Sequence, residues 1–297
     1  MRILNFGSLN IDHVYRVDHI SAPGETVTDL ELQYQAGGKG LNQSIALAKS
    51  GVTTYHVGCV GKDGGMLLSL LEQAGVKTDY LKPVDELNGH AIIQVSKDGQ
   101  NSIVIHKGSN QAIRKEDVDW CLEQVQPGDL VLTQNETSQV PYLAEVCRQK
   151  KIPLAFNPSP FTSSLMEEFP FEAVTYLLIN ETEGQQISGR MEPEKIVDML
   201  LEKYSNMRIV LTLGADGVLY ADRNCRIRQA AFPVQAVDTT GAGDTFTGFF
   251  LGSVLQQRDI QTALRNACAA AAISVTGFGA AVSIPTMQRV EEFLEGR

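Results

Sequence analysis

Apolar residues follow two different patterns along the chain, and the change falls near residue 110. Beyond it, short runs of Val, Ile and Leu alternate with longer stretches of helical periodicity, the signature of a mostly parallel sheet covered by helices. Four such runs, Leu130–Leu132, Pro153–Phe156, Val174–Ile179 and Ile209–Leu213, predict buried strands. Each passes into polar or glycine-rich residues: TQNET, NPSP, NETEG and LGADG. Ligands of an open parallel sheet lie outside the carboxyl ends of its strands. Asn135, Glu136, Asn157, Asn180, Glu183 and Gly214 are therefore expected along one edge.

Ahead of residue 110 the pattern loosens. Met1–Phe6 predicts a buried strand, and Gly40–Ser50 and Gly65–Ala74 predict helices closed by Gly51 and Gly75. Leu30, Leu32 and Tyr34 alternate with polar residues, as in a half-exposed strand. Ala91–Ser96 and Ser102–His106 flank KDGQN, whose Asp98-Gly99 pair signals a hairpin turn. Strands of this exposed type do not belong in a helix-covered sheet. They predict a small β layer assembled from discontinuous pieces, a lid drawn from about 12–36 and 88–107 of a single domain over residues 1–297.

Composition narrows the function classes. Of 297 residues 43% are hydrophobic and 20% charged, which excludes disordered and fibrous chains. Against 35 Asp and Glu stand 25 Lys and Arg, a net charge of −10 that repels phosphate backbones and argues against nucleic-acid binding. No apolar run approaches the roughly 18 residues of a membrane span, and MRILNFGSLNID turns polar too early for a signal peptide. A cytoplasmic protein without a membrane partner is expected. Five scattered cysteines with no CxxC pair read as reduced structural thiols, and the histidines show no zinc-ligand spacing.

Chemistry concentrates in a few stretches. In VDTTGAGDTFTG, Val237–Gly248, the small residues Gly241, Ala242 and Gly243 leave backbone N–H groups uncovered where a long helix begins. Such a start favours anions, so Asp244 there either caps its helix or faces a proton it must remove. The glycine spacing does not match a dinucleotide fingerprint. GGKGLNQ, Gly37–Gln43, is not a phosphate-binding Walker loop, because Gly40 follows Lys39 where Ser or Thr is needed. It is either a tight hinge or a place where backbone approaches a polyhydroxy ligand, with Asn42 offering donor and acceptor. Asn180 and Glu183 either form a capping box or supply a carboxylate for hydrated magnesium. Asp12, in GSLNID, is either a turn residue or an acceptor for two sugar hydroxyls. Together these parts compose a phosphoryl-transfer site.

GSLNID, GGKGLN, NETE, TLGADG and DTTGAGDTF, in that order and spacing, resemble the ribokinase-type (PfkB) carbohydrate kinases from residue 3 to about 285. PGETV, GGKGLNQ and VDTTGAGDTF place the resemblance nearest the ribokinase branch. It implies a Rossmann-like three-layer α/β/α domain with a β lid, a homodimer formed through that lid, and ATP, magnesium and a monovalent cation such as potassium. By position it implies Asp244 as catalytic base and the amides of Gly241, Ala242 and Gly243 as anion hole. Asn10, Asp12, Gly38, Lys39, Asn42 and Glu136 match sugar-binding positions. Asn180 and Thr212 to Gly217, including Gly214, match nucleotide contacts, and Cys268 lies near the adenine position with a packing role. Glu183 matches the magnesium-associated acid. Asp238, Thr240, Ser274, Gly277, Gly279 and Ser283 match a monovalent-cation site. The sequence departs from the pattern at Leu41, Asn135 and Gly277-Phe278. The activity implied is ATP-dependent phosphorylation of a sugar's primary hydroxyl, foremost O5 of D-ribose. Deoxyribose, fructose, a ketodeoxy sugar acid or a nucleoside as substrate, and a silent sugar sensor, remain open alternatives.

Overall fold

A computed structural model describes all 297 residues. Its strands are β1 (Arg2–Phe6), β2 (Asn10–Arg16), β3 (Glu31–Gly37), β4 (Thr53–Val60), β5 (Lys77–Pro83), β6 (Gly89–Val95) and β7 (Asn101–His106) in the first part of the chain. There follow β8 (Leu130–Gln134), β9 (Leu154–Asn157), β10 (Tyr176–Asn180), β11 (Arg208–Thr212), β12 (Val218–Ala221) and β13 (Arg226–Gln229). Nine strands form one sheet in the order β13-β12-β11-β10-β9-β8-β1-β4-β5, parallel except for β12, which runs antiparallel to both of its neighbours. Side chains alternate between its faces. Ile3 and Leu130 enter one hydrophobic cluster, and Leu4 and Val131 the other. Helices cover both faces, which is the expected three-layer α/β arrangement.

Strand order reverses at β1, which pairs with β4 on one side and β8 on the other. A crevice opens beyond the carboxyl ends of strands at such a switch point. The segments leaving β1 and β8, residues 7–10 and 135–136, therefore meet there.

The remaining strands form the expected separate sheet, ordered β3-β2-β6-β7. Asp12 corrects one of its two expectations: it lies within β2 rather than in a turn. The row Gln35–Asp12–Ala91–Ile105 crosses the face that carries Asp12, and Tyr34–His13–Ile92–Val104 crosses the opposite face. Tyr34, Ile92 and Val104 are exposed, as is every residue of β7.

Two helices bring the ends of the chain together. Lys39–Lys49 and Ala242–Leu255 cross closely because two glycines of the second lie on the face that meets the first. A Cβ on Gly248 would stand 2.3 Å from the Ala46 Cβ, and one on Gly252 would stand 2.0 Å from Ser50 Oγ. The contacts continue at the same four-residue step: Asn42, Ala46 and Ser50 oppose Asp244, Gly248 and Gly252.

Candidate active site

Asp244 occupies the first turn of the helix Ala242–Leu255, with Gly241 as N-cap at φ 74°. It does not cap the helix. Its Oδ2 accepts from Asn42 Nδ2 and its Oδ1 from Gln43 Nε2, both at 2.9 Å, and only 7% of the residue is exposed. Beside it, the N–H groups of Gly241, Gly243 and Asp244 find no acceptor in the protein, whereas that of Ala242 donates to Thr239 O at 3.2 Å. Of the three amides expected to receive an anion, those of Gly241 and Gly243 are free, and that of Asp244 joins them.

A cleft of about 260 Å³ opens in front of this turn. Lys39, Asn180, Glu183, Thr212, Gly241, Ala242, Gly243 and Asp244 line it, with Asn157 and Ser159. Asn180 and Glu183 form a reciprocal capping box: Asn180 Oδ1 accepts from Glu183 N at 2.8 Å, and Glu183 Oε2 accepts from Asn180 N at 3.0 Å. Both expected roles are compatible, because Glu183 Oε1 takes no hydrogen bond. One free carboxylate oxygen beside a phosphate-sized cleft suits magnesium, which binds through few protein oxygens and several waters.

The residues expected at sugar positions lie around Lys39 and the strands β2 and β3. Glu136 Oε2 accepts from Lys39 N at 2.9 Å and from the Ser8 hydroxyl. Burial pushes the Glu136 carboxyl above its ordinary value, against the lowering by Ser8 and Lys39. Asp12 faces Gly37 across the β2–β3 pair, where a Cβ would stand 2.3 Å from Asp12 Oδ2. Burial, with Glu136 nearby, raises Asp12 to about 6. Burial alone would lower the Lys39 ammonium, but Asp244, Glu136 and Glu183 around it raise it above its ordinary value. Gly38 takes φ 95°, open to glycine, and turns the chain past Ser8. Asn10 Oδ1 accepts from Asn110 Nδ2 at 2.7 Å, and Asn42 Oδ1 is buried without a partner.

Other expected residues fall outside the cleft. Cys268 sits in the hydrophobic core, 7% exposed, in keeping with a packing role, and does not line the cleft. Gly214 and Gly217 do not line it either. Gly217, at φ 99°, turns β11 into β12, and a Cβ there would meet Gln229 O at 2.0 Å. Asp238 bridges two loops: its Oδ1 accepts from Thr240 N and Oγ1 at 2.9 and 2.7 Å, and its Oδ2 from Gly279 N at 2.9 Å. Burial would raise the Asp238 carboxyl, but these donors hold it below its ordinary value. Ser274 and Ser283 donate their hydroxyls to Ala271 O and Ala280 O. The carbonyls of Thr240, Gly277 and Gly279 accept no hydrogen bond from the protein. Of the departing residues, Leu41 is fully buried, Asn135 ties its loop to Pro160 O, and Phe278 is 76% exposed.

This arrangement agrees with a family model for pfkB family carbohydrate kinases, which matches residues 2–287. The chain belongs to that family. A ribokinase of Bacillus subtilis is 37% identical over 292 residues, covering 97% of each chain. One of Haemophilus influenzae is 35% identical over 299 residues, again covering 97% of each. The structure of Arabidopsis thaliana ribokinase complexed with ribose and ATP superposes with a TM-score of 0.87 at 30% identity, over 99% of this chain and 98% of that one. As a pfkB carbohydrate kinase, the protein transfers phosphate to an alcohol group. Sequence patterns missed several residues that shape this kinase's site: Ser8, Asn110, Gln43 and Gln134. Ser8 lies within the quoted GSLNID; nothing in the pattern around Asn110 marks it.

Proposed function

We propose that the kinase transfers the γ-phosphoryl group of ATP to O5 of D-ribose. The observation that carries this is Asp244, its two oxygens held by Asn42 and Gln43 at the point where the free-amide helix start meets the lid-side carboxylates. Asp244 takes the O5 proton as O5 bonds to the γ-phosphorus and the bond to the ADP oxygen breaks. The N–H groups of Gly241, Gly243 and Asp244 are aimed before reaction at charge that develops on the transferred group. Asp12 and Asn10 hold sugar hydroxyls, the lone Oδ1 of Asn42 accepts another, and Lys39 offsets the surrounding carboxylates. Glu183 holds hydrated magnesium, which when bound neutralises charge on the nucleotide phosphates. A coupled ADP-release assay over pentoses, 2-deoxyribose, hexoses and nucleosides tests the assignment: D-ribose should give the highest kcat/KM. Sugar binding without ADP release would establish a sensor instead.

Asp12 gives the ribose assay a pH signature. The kcat/KM profile reports groups of the free enzyme. Its carboxylate accepts sugar hydroxyls and its acid form does not, so kcat/KM for ribose should fall below pH about 6. Asp12→Ala should erase that limb and raise the sugar KM at least ~10-fold, the loss of a charged hydrogen bond. A raised KM for ATP alone would contradict the role.

We also infer that the oxygens near Asp238, Thr240, Ser274, Gly277, Gly279 and Ser283 hold potassium, fixing the glycine turn. Activity should climb several-fold when potassium replaces tetramethylammonium, and Tm should rise with it, as for any ligand of the native state. Asp238→Ala should abolish both responses. Equal rates and Tm in the two salts would show that no cation is needed. The exposed Tyr34, Ile92 and Val104 of the lid support a homodimer through that face, and no helix is long and apolar enough to cross a membrane. We assign the enzyme to the cytoplasm.

A further inference from the structure

We propose that a buried chain of side-chain amides, Asn5–Gln134–Gln43, dictates which end of the Gln43 amide meets Asp244, making Gln134 a positioning residue for the base. The inference rests on Asp244 being that base. All three amides are 0–1% exposed and none lines the cleft.

The polarity of the chain is fixed at both ends. Asn5 Nδ2 donates to Gly40 O at 2.9 Å and to Ser44 Oγ at 2.8 Å. A carbonyl only accepts, so Asn5 must turn Oδ1 toward Gln134. Gln134 Nε2 donates to that Oδ1 at 2.9 Å and to Gln43 Oε1 at 2.7 Å. Gln43 is then left with Nε2 directed at Asp244 Oδ1, 2.9 Å away, and Asn157 Oδ1, 3.1 Å away. A carboxylate also only accepts, so the far end demands the same orientation. Behind Asn5, Ser44 donates to Nδ1 of the buried His56 at 2.8 Å, and His56 Nε2 donates to Gly7 O at 3.1 Å. Burial lowers His56 to about 4, so the chain ends on a neutral ring and brings no charge toward the base.

Hydrogen bonds to a carboxylate favour its charged form, the form that accepts a proton. Without Gln134, Gln43 Oε1 loses its donor at 2.7 Å, and the amide is held only by the two acceptors at its far end, so its NH2 group bonds Asp244 less firmly. The effect falls on proton transfer and leaves sugar contacts in place.

The test compares pH profiles of kcat for Gln134→Met, Gln43→Met, the double variant and Asp244→Asn. Each single Met variant should lower kcat about 10-fold and move the acid limb up by about one pH unit, with the ribose KM within about twofold of the parent. The double variant should be no worse than Gln43→Met, because Gln134 acts through Gln43. An unmoved limb in Gln134→Met, or effects that multiply, would overturn the proposal. Asp244→Asn with near-parental kcat would instead overturn the assignment of the base. Should Gln134→Met not fold, Gln134→Glu takes its place. An ionised carboxylate there draws the Gln43 NH2 group to itself, so kcat should drop further as pH rises; a parental profile refutes the proposal.

Discussion

Asp244→Asn should fold like the parent and lose ~10²–10⁴ in kcat, the usual loss on removing a general base. Two amide groups donate to the two carboxylate oxygens, so an asparagine would set its own NH2 against one of them. Asn42 can absorb the change. Its Oδ1 has no partner, and turning its amide over presents that oxygen to the new donor. ATP affinity should then remain near normal, with the sugar KM raised by the lost Asn42 acceptor, while proton removal fails. A variant with parental Tm and near-parental kcat would take Asp244 out of the chemistry.

Gly248→Ala is expected to lower stability and turnover together. The added methyl would lie 2.3 Å from the Ala46 Cβ and 2.8 Å from Leu47 N, so the two helices must separate. Overpacking of this kind costs about 1–3 kcal/mol. Ala46 and Asn42 share one stripe of their helix, so separation also draws the Asn42 donor from Asp244. Misplacement by about 1 Å can cost up to ~10²-fold in rate, even from a distant mutation. Gly65→Ala is the control: it lies in the helix Gly65–Gln73, and its Cβ would meet nothing within 4 Å. Thermal melts and steady-state kinetics of both variants decide the matter. A Gly248→Ala enzyme with parental Tm and kcat would show that the helix spacing tolerates change.

The parts of this site legible in the sequence are those whose local chemistry is unusual. An acid behind three small residues at a helix start marks Asp244, and Asn180 followed by Glu183 marks a capping box that also borders the cleft. The strands rich in Val, Ile and Leu were legible because both their faces are buried. β4 was not, because TTYHVGCV carries a histidine and a glycine inside it. β5 and β13 are edge strands whose half-exposed patterns resemble loops, and β12, buried between β11 and β13, is only four residues long. Asp12 looked like a turn residue because its strand owes its place to pairing with β3 and β6, far along the chain. Gln43, Gln134 and Asn5 were illegible for a related reason. Each is a polar residue whose partner is supplied only by tertiary contact, although Asn5 and Gln134 do stand out as amides within mostly apolar strands.

The pairing of Asn42 with Asp244 joins residues 202 apart in sequence. Loops that long close late, after local strands and helices have formed. During synthesis, the chain emerges with Asp12, Lys39, Asn42 and Glu136 and most of its large sheet well before the helix that carries Asp244. With Asp244 as the proposed base, a ribosome-bound or truncated chain ending before residue 242 has no group to take the hydroxyl proton. Catalytic competence arrives in the last fifth of translation, when the Ala242–Leu255 helix docks on Lys39–Lys49, so activity itself reports that the first and last parts of the chain have met.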